Sequence, residues 1–204
     1  MLLKDKTTPD VAAYRPPQPT SLRETLALIR EDYAMYQDWS KPGFRATLLH
    51  RLARWRLGLP RPLRLPLWWV YKSAHRYIRN HYGIDLEYTV DLGRRVVLAN
   101  QGNIAIHPHS IIGDDCILRQ NVTLGAARGG VDFNAAPVLG NNVELGAGVV
   151  VVGRVLIGDG CRVGPNVSVF RNIPANSLVM PAEPRIIPRI NLQVSITESK
   201  GEMS

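Results

Sequence analysis

Histidine is the side chain best suited to take a proton from an attacking hydroxyl near neutral pH, and this sequence of 204 residues contains five. Two of them stand together in the run Ile106-His107-Pro108-His109. Either His107 or His109 could act as a general base, but a pair of exposed corner residues is the interpretation that we favour. The other three lie in a stretch with helical spacing, where surface positions or packing between copies is favoured: His50, His75 and His81.

The two cysteines, Cys116 and Cys161, are too few and too far apart for a zinc ribbon or a disulfide framework. We predict that both are small packing residues of the interior, and we expect no bound metal. The stretch 1–15 is polar and charged, unlike a signal peptide. Since no apolar run reaches the ~18 residues of a membrane span, we expect a cytoplasmic protein.

The formal net charge is +8, and one stretch concentrates the positive charge. Residues 41–83 contain ten lysines and arginines, no aspartate or glutamate, and three tryptophans. Such a stretch could lie on a membrane surface as an interfacial helix, or it could be a helical cap whose aromatics bury within an assembly of identical chains. We favour the cap, because the arginines can solvate its outer face. Nucleic acid binding is not expected, since the basic residues are spread over broken helices.

The N-terminal half is expected to begin with a disordered, proline-rich arm over 1–20 and to continue as a helical domain over 21–82. Ser21 and Glu24 have the spacing of a capping box at the start of the first helix. The second helix is predicted over about 44–57, with Leu52 on its apolar side and Arg51 on its polar side. The third is predicted over about 67–80.

Beyond Gly83, apolar residues recur every six positions. They are Leu86, Leu92 and Leu98, then, after a slip of two near Asn100–Asn103, Ile106, Ile112, Leu118 and Leu124, and, after a break, Leu139, Leu145, Val151, Ile157, Val163 and Val169. Neither a helix nor an alternating strand has this period, whereas a solenoid does. Three six-residue units close one triangular coil. We therefore predict a left-handed parallel β-helix over 83–188, with an extended loop over 126–137 and a flexible tail over 189–204.

This repeat resembles that of the hexapeptide-repeat acyltransferases. Three runs resemble the serine acetyltransferases more closely, and equally the polysaccharide O-acetyltransferases of the colanic acid type: Gly83-Ile84-Asp85, Gly93-Arg94-Arg95 and residues 117–125. The resemblance implies transfer of an acetyl group from acetyl-CoA to a hydroxyl. It also implies a homotrimer, or a dimer of trimers, with acetyl-CoA in a groove between neighbouring prisms.

The catalytic residues that the resemblance implies are only partly kept in this sequence. The orienting aspartate falls on Asp85, the base histidine falls on Asn100, and a second histidine of the extended loop falls on Ala136. An amide cannot act as a general base, although Asn100 could position a hydroxyl or donate to an oxyanion. We therefore expect the acceptor to be a sugar or polysaccharide precursor rather than serine. The alternative is a non-catalytic trimer with a structural or regulatory role.

The resemblance also implies which residues would contact acetyl-CoA. The pantetheine arm would lie along Gly146, Ala147 and Gly164, where small residues allow close approach. Three arginines are available for its phosphates: Arg154, Arg171 and Arg185. Any β-helix needs glycines at its corners, so a purely structural role for Gly146 and Gly164 stays open.

Overall fold

Three helices precede a solenoid of short strands in the computed structural model, which describes residues 14–19, 21–126 and 135–185. Most of the predicted arm over 1–20, the middle of the loop over 126–137, and the predicted tail over 189–204 lie outside these ranges. The helices are α1 (Leu22–Tyr36), α2 (Pro42–Arg56) and α3 (Arg61–Tyr82). None of the helices within the described ranges is long and apolar enough to cross a membrane.

The helix ends follow local chemistry. The Ser21 hydroxyl accepts a hydrogen bond from the Glu24 N–H at 3.2 Å, which confirms the predicted N-cap of α1. Helix α3 begins at Arg61, six residues before its predicted start, because Pro62 lies in the first turn, where no N–H is required. Gly83 ends α3 with a φ of 66°, a left-handed conformation that suits glycine.

Fourteen strands of two or three residues form the solenoid in the described part of the chain. They are β1 (Ile84–Leu86), β2 (Asp91–Leu92), β3 (Val97–Leu98), β4 (Ile104–Ile106), β5 (Ile111–Ile112), β6 (Ile117–Leu118), β7 (Thr123–Gly125), β8 (Val138–Leu139), β9 (Glu144–Leu145), β10 (Val150–Val152), β11 (Leu156–Ile157), β12 (Arg162–Val163), β13 (Ser168–Val169) and β14 (Leu178–Val179). Every strand pairing is parallel.

Three sheets make the flat sides of this prism, and the strands from β1 to β13 go to successive sheets. The first sheet has the order β1-β4-β7-β10-β13, the second β2-β5-β8-β11, and the third β3-β6-β9-β12-β14. Between β13 and β14 the second sheet is continued only by a single bridge from Ile173 to Ile157. The chain therefore winds through about four turns, which confirms the parallel β-helix predicted from the six-residue period.

The strand register shows where the coils depart from a regular repeat. Ala105 pairs with Thr123, eighteen positions later, and Val150 pairs with Ser168 at the same spacing. Ile84 pairs with Ile104, twenty positions later, because two extra residues leave at the corner between the third and first sheets. Thr123 pairs with Val150, twenty-seven positions later, because the extended loop leaves between the first and second sheets.

The recurring aliphatic residues point into the prism and stack in columns. Leu98, Leu118 and Leu145 are at most 1% exposed and lie one above another on the third sheet. Both cysteines are fully buried in the same core, as predicted. Burial raises the pKa of the Cys116 thiol to about 12, which fits a packing residue rather than a nucleophile.

Helix α2 packs on the first coil through a face that was predicted wrongly. Arg51, expected on the polar side, is 1% exposed, whereas Leu52, expected on the apolar side, is 38% exposed. The Arg51 guanidinium is paired with the carboxylate of Asp32 in α1 at 2.9 Å, and it donates to the carbonyl oxygens of Leu92 and Gly93. The arginine is buried because this partner set satisfies its charge and donors.

His50 is also buried between α2 and the first coil, so the expectation of a surface or inter-chain position is wrong for this residue. Its Nε2 lies 2.9 Å from the carbonyl oxygen of Val90. Burial lowers the pKa of His50 from 6.5 to about 3, and the positive charge of Arg51 is the second cause of this shift. The imidazole is therefore neutral in the folded protein at physiological pH.

This burial predicts a pH dependence of stability. Below pH 6.5 the unfolded chain binds a proton at His50 and the folded chain does not, so stability falls as the pH falls. We expect His50 to account for a loss of about 2 kcal/mol in the free energy of unfolding at pH 5. Urea unfolding from pH 7.5 to 5 measures this loss in the wild type and in His50→Gln. Parallel curves for the two proteins would contradict the prediction.

Candidate functional site

A groove runs along the outer face of the third sheet and ends at the corner that contains Asn100. Its cavity of about 430 Å³ is lined by Asn100, Arg119, Gln120, Glu144, Gly146, Ala147, Arg162, Val163, Gly164, Pro165, Leu178 and Met180. The structure thus brings together four of the residues that the sequence singled out: Asn100, Gly146, Ala147 and Gly164. They come from three different coils, and the parallel register alone aligns them.

Asn100 lies in the corner formed by the two extra residues of the first coil. Its φ of 68° is left-handed, a conformation that asparagine tolerates better than most residues. The side-chain amide donates to Oε1 of Gln120 at 2.9 Å and is exposed to the groove. An amide held in this way can donate to a developing oxyanion or orient a hydroxyl, but it cannot accept the hydroxyl proton.

Glu144 is the carboxylate of the groove, and two arginines hold it. Its Oε1 accepts a hydrogen bond from Nη2 of Arg119 at 2.6 Å, and its Oε2 lies 3.7 Å from Nη1 of Arg162. Sequence reasoning assigned none of the three to the site. Glu144 and Arg162 precede inward-pointing residues of the repeat, so the alternation of side chains along a strand could have placed them on the outer face.

The glycines of the groove have a structural reason to be there. A methyl group on Gly146 would come within 2.8 Å of the carbonyl carbon of Gly164 in the next coil. One on Gly164 would lie 3.1 Å from Pro181. The close stacking of coils therefore accounts for Gly146 by itself, and the open surface that a ligand could contact is at Ala147 and Pro165.

His107 and His109 lie at a different corner, between the first and second sheets. The His109 N–H donates to Nδ1 of His107 at 3.3 Å, and the two rings are 5.6 Å apart. Partial burial lowers the pKa of His107, and the nearby His109 lowers it further. The first sheet separates this corner from Asn100, so one chain does not bring the histidines into the groove.

His109 lines a second cavity of about 690 Å³, on the side of the second sheet. Ala136, at the return of the extended loop, and Arg154 line the same cavity. Arg171 is exposed on the last coil, and Arg185 is exposed at the end of the described chain. None of the three arginines expected to bind phosphate lines the Asn100 groove; Arg119 and Arg162 do.

Asp85 is paired with a histidine of α3 rather than with Asn100. Its Oδ1 lies 3.2 Å from Nε2 of His75, within ion-pair distance, although the angles do not make a good hydrogen bond. The side chain of His75 is 12% exposed. The position that the resemblance gives to the orienting carboxylate thus faces α3.

Over 14–19, 21–126 and 135–185, no three side chains of histidine, cysteine, aspartate or glutamate converge in a way that could hold a metal ion.

The stacked coils and their repeat define the class of protein. The family model described as bacterial transferase hexapeptide (six repeats) matches residues 136–171. The chain belongs to the hexapeptide-repeat transferase family.

Two relatives of this chain are named as acetyltransferases. A serine acetyltransferase of Synechococcus elongatus is 31% identical over 153 residues, which are 75% of this chain and 60% of that protein. The putative colanic acid biosynthesis acetyltransferase WcaB of Escherichia coli is 32% identical over 105 residues, or 52% of this chain and 64% of that protein. The chain therefore spans about three-fifths of the length of these relatives.

A solved structure shows the same fold. The serine acetyltransferase of Brucella abortus in complex with coenzyme A matches with a TM-score of 0.67 and 21% identity, over 81% of this chain and 68% of that chain.

The close contact at Gly146 predicts the effect of a single methyl group. Gly146→Ala should lower the free energy of unfolding by about 1–3 kcal/mol, because the next coil must move away. Gly125→Ala is the matched control, since a methyl group there would meet nothing closer than 4.0 Å. Its change should stay within about 0.5 kcal/mol. Urea unfolding measures both, and equal stabilities would contradict the stacking argument.

Proposed function

We propose that this protein is an acetyl-CoA-dependent O-acetyltransferase that uses the Asn100 groove. The observation that carries the proposal is the groove itself: a donor amide, small surface residues and two arginines are aligned on one face of a fold shared with serine acetyltransferases. The Brucella abortus relative binds coenzyme A. Here the pantetheine arm would run past Ala147 and Pro165, and Arg119 or Arg162 would attract the phosphates.

The reaction would proceed by direct attack on the thioester. The acceptor oxygen bonds to the carbonyl carbon while the carbon–sulfur bond breaks, and the hydroxyl proton passes to a base or to the departing thiolate. The Asn100 amide would stabilise the carbonyl oxygen as its negative charge develops. Glu144 is a poor candidate for this base, because Arg119 and Arg162 already occupy its two carboxylate oxygens.

A sugar or polysaccharide precursor is the acceptor that we propose. A serine substrate would require groups that hold its carboxylate and its ammonium. The positions that correspond to the family's histidines are Asn100 and Ala136 in this sequence, and neither side chain carries a charge. A sugar hydroxyl needs no such ion pairing. The likeness to a putative colanic acid biosynthesis acetyltransferase supports the same class of acceptor.

We further propose a homotrimer in the cytoplasm, where acetyl-CoA is available. The groove is open along the third sheet, and a second copy packed there would close it. His107 and His109 could serve as the base only in such an assembly, because within one chain they lie at another corner.

The second candidate function is a non-catalytic trimer, and one observation favours it. Among the described residues, no imidazole lines the groove, and its carboxylate is held by arginines. Incubating the protein with acetyl-CoA and nucleotide sugars or glycans, and measuring free CoA, tests the two functions. Release of CoA that depends on the acceptor supports the enzyme. Calorimetric binding of acetyl-CoA without release with any acceptor supports the non-catalytic trimer.

An imidazole placed at position 100 should reveal whether the groove holds the thioester of acetyl-CoA. Asn100→His should raise the slow hydrolysis of acetyl-CoA by up to about 100-fold, which is the low end of the contribution of a positioned general base. Asn121→His is the control, since Asn121 is also exposed at a corner with a positive φ of 60° but does not line the groove. Equal hydrolysis by both variants and the wild type would argue that the groove does not hold the thioester.

A further inference from the structure

A separate cavity of about 350 Å³ lies between α3 and the first coil. Its walls are aromatic rings from Trp68, Tyr71 and Tyr88, together with charged side chains of α3. It shares no lining residue with the Asn100 groove. This volume is at the small end of ligand sites and suits one ring with one charged substituent.

Three cations of α3 line this cavity: Lys72, Arg76 and Arg79. They are exposed, and in the described part of the chain none of them forms an ion pair. Lys72 lies over the ring of Trp68, with Nζ 4.8 Å from its centre, and Nε of Arg79 donates to Oδ1 of Asn80 at 3.5 Å. The positions on one helix keep the three charges on one side, where they can surround an anion.

One carboxylate, Glu87, lines the same cavity and leaves the cations in excess. The imidazole of His75 forms part of the wall, and its Nε2 lies 3.2 Å from Oδ1 of Asp85. A charge excess of this kind at the mouth of a concave site favours an anionic ligand.

The aromatic wall is rigid and uncharged. Tyr71 and Tyr88 meet edge to face at 5.3 Å, and the Tyr88 N–H donates to the Tyr71 hydroxyl at 3.3 Å. Burial raises the pKa of Tyr71 to about 12, so its ring carries no charge. Arg56 lies over both rings, at 5.8 and 5.6 Å, and is itself buried. Fixed rings of this kind offer a flat apolar surface to a ligand ring.

We propose that this cavity binds a phosphorylated sugar. The phosphate lies among Lys72, Arg76 and Arg79, and the sugar ring lies against Trp68 and Tyr88. Guanidinium groups suit phosphate because they donate two parallel hydrogen bonds. The site is independent of acetyl transfer in the Asn100 groove, so either can fail without the other.

Calorimetry with glucose 1-phosphate and with inorganic phosphate tests the site. We expect glucose 1-phosphate to bind more tightly than phosphate, and Arg76→Ala to raise its Kd about tenfold or more, as expected for the loss of a charged hydrogen bond. Arg61→Ala is the matched control, because Arg61 is exposed on the same helix but does not line the cavity. Trp68→Leu should reduce the preference for the sugar phosphate over phosphate.

Three results would overturn the proposal: no binding of either compound, equal weakening by Arg61→Ala and Arg76→Ala, or no preference for the sugar phosphate. A lipid headgroup is tested with phosphatidylcholine vesicles with and without phosphatidic acid. Binding only to vesicles with phosphatidic acid, weakened by Arg76→Ala but not by Arg61→Ala, would overturn the sugar ligand in favour of a lipid phosphate. Acetyl-CoA binding by Arg76→Ala, measured in parallel, should equal that of the wild type.

Discussion

The register between stacked coils is the constraint on which this structure depends. Each strand must bond to its counterpart in the next coil, so a regular coil has a fixed length of eighteen residues. Any additional residues have to leave the prism at a corner, since an insertion within a strand would turn every following side chain to the opposite face. Within the described residues, additional residues leave the prism at two places, the corner of Asn100 and the extended loop. The last coil is instead two residues short, since Arg162 pairs with Leu178 only sixteen positions later.

The same register aligns outward side chains that are distant in sequence. Ile117, Glu144 and Arg162 share one column on the third sheet, and the groove is built on this column. Asp85 is on the first sheet and faces α3, although it belongs to the same coil as Asn100. The groove therefore combines residues of different coils, whereas residues of one coil are distributed around the prism.

The helices are attached to the first coil by buried polar contacts as well as by packing. Arg51 connects α2 to α1 through Asp32 and to the solenoid through two carbonyl oxygens. Removing either charged partner would leave the other buried and unpaired, which is costly. Helix α3 packs directly on α2 and on β1, and this packing positions both the His75–Asp85 pair and the proposed phosphate cavity.

The solenoid could be predicted from the sequence because its period is a direct consequence of its geometry. The slip near Asn100 and the break after Leu124 were visible for the same reason. The packing of α2 could not be predicted, since Arg51 and His50 are buried by partners in α1 and the first coil that hydrophobic spacing does not reveal. The resemblance pointed to Asn100, Gly146 and Gly164, which line one groove, and to Arg154, Arg171 and Arg185, which do not line it. The roles of all six stay predictions. Arg119 and Arg162 come together in the groove only through the register between coils, which could be read from the structure but not from the sequence.

The central claim is that the Asn100 groove is the acetyl-CoA site. A crystal structure of the protein soaked with coenzyme A tests it most directly. We expect the pantetheine arm to lie along Ala147 and Pro165, with the sulfur beside the Asn100 amide. Coenzyme A bound instead in the cavity of His109 and Arg154, with its sulfur away from Asn100, would contradict the claim.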